Sequence, residues 1–315
     1  MTPAPFHQLA GDALAPAQAF WLRADDGVRL RACLWQPDEG PQTGTVLLFP
    51  GRTEYVEKFA PFAARLTAAG LNVLAIDWRG QGLSDRLQDD PRPGHIGDFS
   101  DYQRDVVELV VTATDLDLPR PWHLLGHSMG GCIGLAALYH ELPVATAAFS
   151  APMWGINLRQ MPRGMAMGLA YIAGRLGRGG RAAAGTGGSG TYVLDEAFSA
   201  NLLTTDAAEW SRMVREADAW PDLTLGGASF DWVSRALNEC TRLAALPSPE
   251  GMPMLVSLGS GELVVSAGAI RDRAGRWDGA QLMELDGARH EVMMERPALR
   301  DAFLAALLDH FGRAG

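Results

Sequence analysis

Short apolar runs alternate with amphipathic stretches along this chain, and that alternation restricts its fold more than any other feature. Thr45-Val46-Leu47-Leu48-Phe49 ends at Pro50-Gly51, and Trp122-His123-Leu124-Leu125-Gly126 ends where a Gly-x-Ser-x-Gly turn begins. Leu71–Asp77, Met254–Gly259 and residues 144–149 have the same form, and Gln281–Leu285 is a further strand. Such runs read as strands covered on both faces. Helical stretches lie between them, at 56–69, 129–140, Ala267–Arg276 and 297–311. The first stops at Gly70, as a helix C-cap would. Ser100-Asp101-Tyr102-Gln103 has the form of a capping box opening a helix to about Asp115. Ahead of all this, 19–22 and 28–35 read as a hairpin about Asp25-Asp26-Gly27, its second strand alternating apolar and polar residues. The pattern predicts an α/β fold, a mostly parallel sheet with helices on both faces.

The rhythm breaks after Pro152 and returns at Met254. The expected organisation is one α/β core, residues 1–151 and 247–315, interrupted by a helical cap over 152–246. Lys+Arg 27 against Asp+Glu 37 gives a net charge of -10, which repels a phosphate backbone and argues against nucleic acid as a partner. Three widely spaced cysteines fit neither a disulfide framework nor a zinc site, and read as buried thiols in a reducing compartment. No signal peptide and no run of 18 apolar residues is visible, so the cytoplasm is the expected location.

Chemistry enters at Gly126-His127-Ser128-Met129-Gly130, followed by Gly131. A buried strand ends at its first glycine and an apolar helix starts at Met129. A serine on so sharp a turn stands clear of the sheet, above a helix N-terminus that favours negative charge. The chain is identified as resembling an α/β-hydrolase, a serine hydrolase of the lysophospholipase L2 / monoacylglycerol lipase group. The resemblance rests on Phe49-Pro50-Gly51-Arg52-Thr53-Glu54-Tyr55 in the place of the oxyanion loop, on Asp77-Trp78-Arg79-Gly80-Gln81-Gly82-Leu83-Ser84, and on the elbow. In the cap it rests on Asn201-Leu202-Leu203-Thr204-Thr205-Asp206 and Leu223-Thr224-Leu225-Gly226-Gly227.

The resemblance implies a catalytic order of serine, acid, histidine. Ser128 is then the nucleophile. His290, in the loop after the last strand, is the base. Glu262, in Gly259-Ser260-Gly261-Glu262, takes the acid position, where the family commonly has Asp; Asp286 is the alternative. The oxyanion hole is expected from the Arg52 and Met129 amides. The Arg52 side chain either pairs with Glu54 or meets a phosphate, and pairing is the favoured reading. His127 is expected to pack or hydrogen-bond beside the site. No metal or organic cofactor is implied.

Residues 156–194 hold Arg159, Arg163, Arg175, Arg178 and Arg181 and no acid. Met161, Met165, Leu169, Ile172 and Leu176 recur there at helical spacing. A basic amphipathic helix can dock anionic lipid, so Arg159 and Arg163, with Trp154, are candidate substrate-binding residues and the cap is a candidate for transient membrane-surface contact. The alternative is a helix that only packs on the core. Seven glycines between 177 and 190 suggest a mobile hinge for a lid. The expected activity is hydrolysis of acyl-lipid esters through an acyl-enzyme. An aminopeptidase on the same fold and a non-catalytic binding protein are the alternatives. Oligomeric state is not legible.

Overall fold

A computed structural model describes residues 1–10, 16–158 and 161–313. Nine strands form one sheet: β1 (Thr2–Pro3), β2 (Ala17–Arg23), β3 (Arg29–Trp35), β4 (Gly44–Phe49), β5 (Leu71–Asp77), β6 (Trp122–His127), β7 (Thr146–Ser150), β8 (Met254–Gly259) and β9 (Gln281–Leu285). Their order is β1-β2-β3-β5-β4-β6-β7-β8-β9. β1, β2 and β3 run antiparallel to their neighbours, and all pairings from β5 to β9 are parallel.

The helices are α1 (Ala60–Ala68), α2 (Tyr102–Asp115), α3 (Met129–Leu138), α4 (Arg163–Arg175), α5 (Tyr192–Asp195), α6 (Ala207–Ala219), α7 (Phe230–Ala245), α8 (Ala267–Arg276) and α9 (Pro297–Gly312). α1 and α9 bury Phe62, Leu66, Phe303 and Leu307 against one face of the sheet. α2, α3 and α8 bury Val106, Leu109, Ile133, Leu135 and Ile270 against the other. α4 to α7 fall within the interruption between β7 and β8.

Two expectations change in detail. The second hairpin strand does not alternate: after Arg29 every residue of β3 is buried. Arg31 tolerates burial because Asp77 and Glu57 neutralise it, at 2.7 and 2.6 Å. The capping box from Ser100 does not form; Asp98 caps the turn that precedes the 102–115 helix. Its carboxylate accepts from the Ser100 amide, and a short 3-10 turn at Phe99–Asp101 leads into the helix. The glycine-rich segment makes backbone hydrogen bonds to the 223–228 stretch. Gly188 O accepts from Gly227 N and Ala183 N donates to Ala228 O, which ties the segment to the 223–227 motif.

Candidate active site

β4, β6, β8 and β9 are parallel, so the loops leaving their carboxyl ends converge on one edge of the sheet, where open α/β sheets bind ligands. Those loops carry Arg52, Ser128, Glu262 and His290.

Ser128 lies between β6 and α3 at φ 50°, a conformation costly for a residue with a Cβ. Three amides, from Gly131, Cys132 and Met153, converge on its carbonyl, and its own amide donates to Ser150 O. The elbow packs tightly on the loop at 50–55. A Cβ on Gly130 would lie 2.0 Å from Phe49 O, so only glycine fits there. A Cβ on Gly51 would lie 3.0 Å from the Ser128 Cβ.

Glu262 and His290 form a buried pair. His290 Nδ1 and Glu262 Oε2 are 2.8 Å apart, and Glu262 Oε1 accepts from the amides of Val264 and Val265 at 2.6 and 3.0 Å. Burial raises the Glu262 carboxyl, but the His290 charge and hydrogen bond and the two amides bring it below its ordinary value. It therefore stays a carboxylate. Asp286 is exposed, and its Oδ1 accepts from Ser260 Oγ at 3.1 Å. The imidazole is held by Glu262.

The loop at 50–55 is braced so that one amide stays free. Glu54 accepts the Gly51 amide and Gln81 Oε1 the Thr53 amide. Trp78 Nε1 holds Pro50 O at 2.8 Å, and Gln81 Nε2 holds Gly51 O at 3.1 Å. The Asp77–Ser84 turn thus serves as the buttress of this loop. The Arg52 and Met129 amides have no acceptor among the described residues.

The Arg52 side chain departs from expectation. It does not pair with Glu54, because Glu54 is turned toward the Gly51 amide and Lys58. Its Nη2 instead donates to Gly226 O at 2.9 Å, and its Cζ stands 5.1 Å from the centroid of the Trp232 ring.

Sequence reasoning missed a buried quartet behind the site. Lys58 Nζ joins Glu54 and Glu291, the latter at 2.7 Å. His127 Nε2 faces Glu291 Oε2 at 3.2 Å and Glu54 Oε1 at 3.7 Å, while its Nδ1 meets Ser150 O at 3.0 Å. Both ring nitrogens face acceptors, which favours the imidazolium. Burial opposes that charge, but Glu291 and Glu54 outweigh it and raise His127. Burial likewise raises Glu291, yet Lys58 and His127 hold it well below the ordinary range. Glu54, His127 and Glu291 bring donor atoms within 4.8 Å of one another, as metal ligands do, but the Lys58 ammonium already sits between the two carboxylates. Two cations thus balance two anions. The visible signal was Glu54 and Lys58 one helical turn apart; nothing in the sequence placed Glu291 beside them. Removing one member of a buried ion set leaves an uncompensated charge at a cost of about 3–5 kcal/mol. Lys58→Met is therefore expected to lower the melting temperature sharply and Lys58→Arg much less. Equal melting of wild type and Lys58→Met would refute the charge balance.

The cap segments grip the same loops. Leu203 O accepts from the Glu291 amide at 2.8 Å, and Thr204 Oγ1 donates to Met294 O at 2.7 Å. Trp154 is spent on packing: it stacks near Trp277, meets Phe149 edge-on, and donates its Nε1 to Gly131 O at 3.1 Å. Arg163 ties α4 to α7 through Leu237 O at 3.1 Å. Arg159 lies outside the described residues.

A serine on a strained strand-to-helix elbow, at the carboxyl edge of a sheet ordered in this way, defines the class as an α/β-hydrolase. The structure of a soluble monoglyceride lipase variant from Saccharomyces cerevisiae superimposes with a TM-score of 0.71, 15% identity, and coverage of 98% of this chain and 99% of that one. Palaeococcal monoacylglycerol lipase gives the same TM-score at 19% identity, over 91% and 99%. The chain belongs to the family described as serine aminopeptidase, S33, whose model matches residues 40–297. Within it the chain falls in the lysophospholipase L2 / monoacylglycerol lipase group. It is 31% identical to the lysophospholipase L2 of Escherichia coli K12 over 321 residues, covering 95% of this chain and 91% of the relative. A shorter match, 38% over 110 residues, links it to the monoacylglycerol lipase of Mycolicibacterium smegmatis, over 35% of this chain and 37% of that one.

Proposed function

We propose that this chain is a serine hydrolase of acyl-lipid carboxylic esters, acting on lysophospholipid or monoacylglycerol. The observation that carries the reading is the conjunction of Ser128 on its elbow, the His290–Glu262 pair, and the two free amides of Arg52 and Met129. In this mechanism Ser128 Oγ attacks the ester carbonyl and His290 takes its proton. The Arg52 and Met129 amides hold the oxyanion. Glu262 fixes the imidazole with its proton on Nδ1 and stabilises the imidazolium. Collapse expels the alcohol, protonated by His290. The acyl-enzyme then falls to water that His290 deprotonates.

Residues 152–246 act as the cap over this site. The names of the relatives favour a lipid ester. The family's description keeps an aminopeptidase as the second reading, although the elbow here is Gly-His-Ser-Met-Gly-Gly rather than Gly-Gly-Ser-Trp-Gly. A panel of p-nitrophenyl esters, monoacylglycerols, lysophospholipids and aminoacyl amides, ranked by kcat/KM, tests it. A preference for the amides would overturn the ester reading. Failure of a fluorophosphonate to label Ser128 would favour the binding protein.

The cap also bears on how a lipid is reached. α4 turns Ala166, Ala170 and Ala173 inward, while Met165, Leu169, Ile172 and Leu176 are 41–65% exposed. The apolar stripe thus faces outward, with Arg175, Arg178 and Arg181 exposed around its end. No helix among the described residues is long and apolar enough to cross a membrane. Surface contact through α4 is the reading these side chains support. Each arginine near an anionic bilayer is worth about 1 kcal/mol. Replacing all three with Gln is expected to weaken sedimentation with anionic vesicles by about 100-fold. Salt should act likewise, since exposed charges are screened within about 10 Å. KM for p-nitrophenyl butyrate should not change. Unaltered vesicle binding would mean that α4 merely covers α7.

A further inference from the structure

The Arg52 guanidinium is a cation without an anion. Among the described residues no carboxylate lies within ion-pair distance of it, although the chain carries an excess of acids. The nearest in sequence, Glu54, is committed to the Gly51 amide and Lys58. What surrounds the guanidinium is a carbonyl, Gly226 O, and the Trp232 ring. Its Nε is buried and unpartnered. A carbonyl and a π-face orient a guanidinium but leave its charge uncompensated. Desolvation makes this costly enough to pull the group down to about 10.

Its position gives the cost a use. The Arg52 amide is one of the two free donors beside Ser128, so the guanidinium stands one arginine side chain from the oxyanion. In a lysophospholipid the glycerol backbone separates the ester carbonyl from the phosphate by a comparable few bonds. Room for the group is built in: a Cβ on Gly94 would come within 2.7 Å of Nη2 and 3.2 Å of Nε.

We propose that Arg52 receives the phosphate of the substrate's headgroup and so selects charged lysophospholipid over neutral monoacylglycerol. The inference rests on the ester-hydrolase reading above and adds a specificity-determining residue to it. The fork of donors suits a phosphate oxygen pair better than an ammonium would.

Arg52→Met, Arg52→Lys and Gly94→Ala test it. None removes the Arg52 amide. Fluorophosphonate labelling at wild-type stoichiometry first shows that each variant is folded with its nucleophile intact. Lysophospholipid and monoacylglycerol with the same short acyl chain are then compared as monomers. Arg52→Met is expected to lower kcat/KM for the lysophospholipid by about 10- to 100-fold, mostly through KM, from loss of a charge-assisted contact. The ratio of the two kcat/KM values, in which any shift of the Arg52 amide cancels because both esters use it, should fall by about 10-fold or more. Arg52→Lys should recover part of the preference, and Gly94→Ala should lose part of it by pushing the guanidinium aside. Glycerol 3-phosphate should compete against p-nitrophenyl butyrate in the wild type and not in Arg52→Met, while glycerol competes in neither. Inorganic phosphate competing as well as glycerol 3-phosphate would mean a free-anion site rather than a headgroup site, and would overturn the proposal. Equal losses on both lipids would also overturn it, because the guanidinium would then only clasp the cap at Gly226. A wild type that cleaves amides but neither lipid sinks the ester-hydrolase reading itself, which a lost headgroup preference alone does not.

Discussion

Replacing Ser128 with alanine is expected to remove essentially all ester hydrolysis while leaving the protein folded. Loss of the nucleophile from a comparable triad costs on the order of 10⁶ in kcat, with about 10³–10⁴ over water left from binding and the oxyanion donors. The fold should not suffer, because everything that holds the elbow runs through the backbone. The Ser128 carbonyl and amide keep their bonds to Gly131, Cys132, Met153 and Ser150 in any variant. The side chain does matter to strain. At φ 50° a Cβ is unfavourable, and alanine keeps that penalty. Ser128→Gly relieves it and should melt at a higher temperature than Ser128→Ala, while being equally inactive. The measurements are kcat on p-nitrophenyl butyrate and thermal unfolding of the two variants. An alanine variant retaining more than a few per cent of wild-type kcat would show that Ser128 is not the nucleophile.

The centre of the sheet was legible because its strands are apolar on both faces. Residues 45–49, 122–126 and 254–259 announce burial without any partner being known, and the parallel pairings bear that out. β3 was misread because Arg31 looks like a solvent position. Only the three-dimensional placement of Asp77 and Glu57 shows that it is neutralised inside. The same limit hid the quartet. Glu54, Lys58, His127 and Glu291 come from three separate stretches of chain, and the side chains of adjacent residues diverge, so proximity in sequence to Ser128 or His290 said nothing about where they point.

Arg52 failed for a related reason. Two residues from Glu54, it invites a local pair, but Glu54 is drawn away by a stronger combination of an amide and an ammonium. The cap motifs were recognised without a role. In the structure 201–206 hydrogen-bonds the His290 loop and 223–227 hydrogen-bonds Arg52, so both motifs contact the loops of the candidate site. The glycines between 177 and 190 suggested mobility because composition reports conformational freedom. It does not report the backbone hydrogen bonds that the segment makes, here to 227 and 228.

Glu262→Gln is expected to cost far more than Asp286→Asn, and the geometry says why. Glu262 Oε1 accepts from two backbone amides, and Oε2 meets His290 Nδ1 at 2.8 Å. In the glutamine variant the carboxamide oxygen must take the place of Oε1, because an NH₂ there would face two N–H donors. The NH₂ is then turned toward His290 Nδ1. That nitrogen has to become an acceptor, so the ring proton moves to Nε2, the nitrogen that should accept from Ser128. This wrong tautomer cost about 10⁴ in kcat in a well-studied triad with an acid in the same role. The carboxamide cannot flip to repair the fault without losing both amide bonds. Asp286→Asn, in contrast, alters an exposed carboxylate whose Oδ1 bond to Ser260 Oγ an amide oxygen can also accept. Its effect on stability should stay within about 0.5 kcal/mol and its kcat near wild type. Glu262→Asp is expected to fall between the two, since a side chain shorter by one methylene cannot reach His290 and both amides at once. Steady-state kcat for the three variants decides the matter. A dead Asp286→Asn enzyme beside a near-normal Glu262→Gln enzyme would transfer the acid to Asp286, and the two amides on Oε1 would then serve only to close the loop after β8.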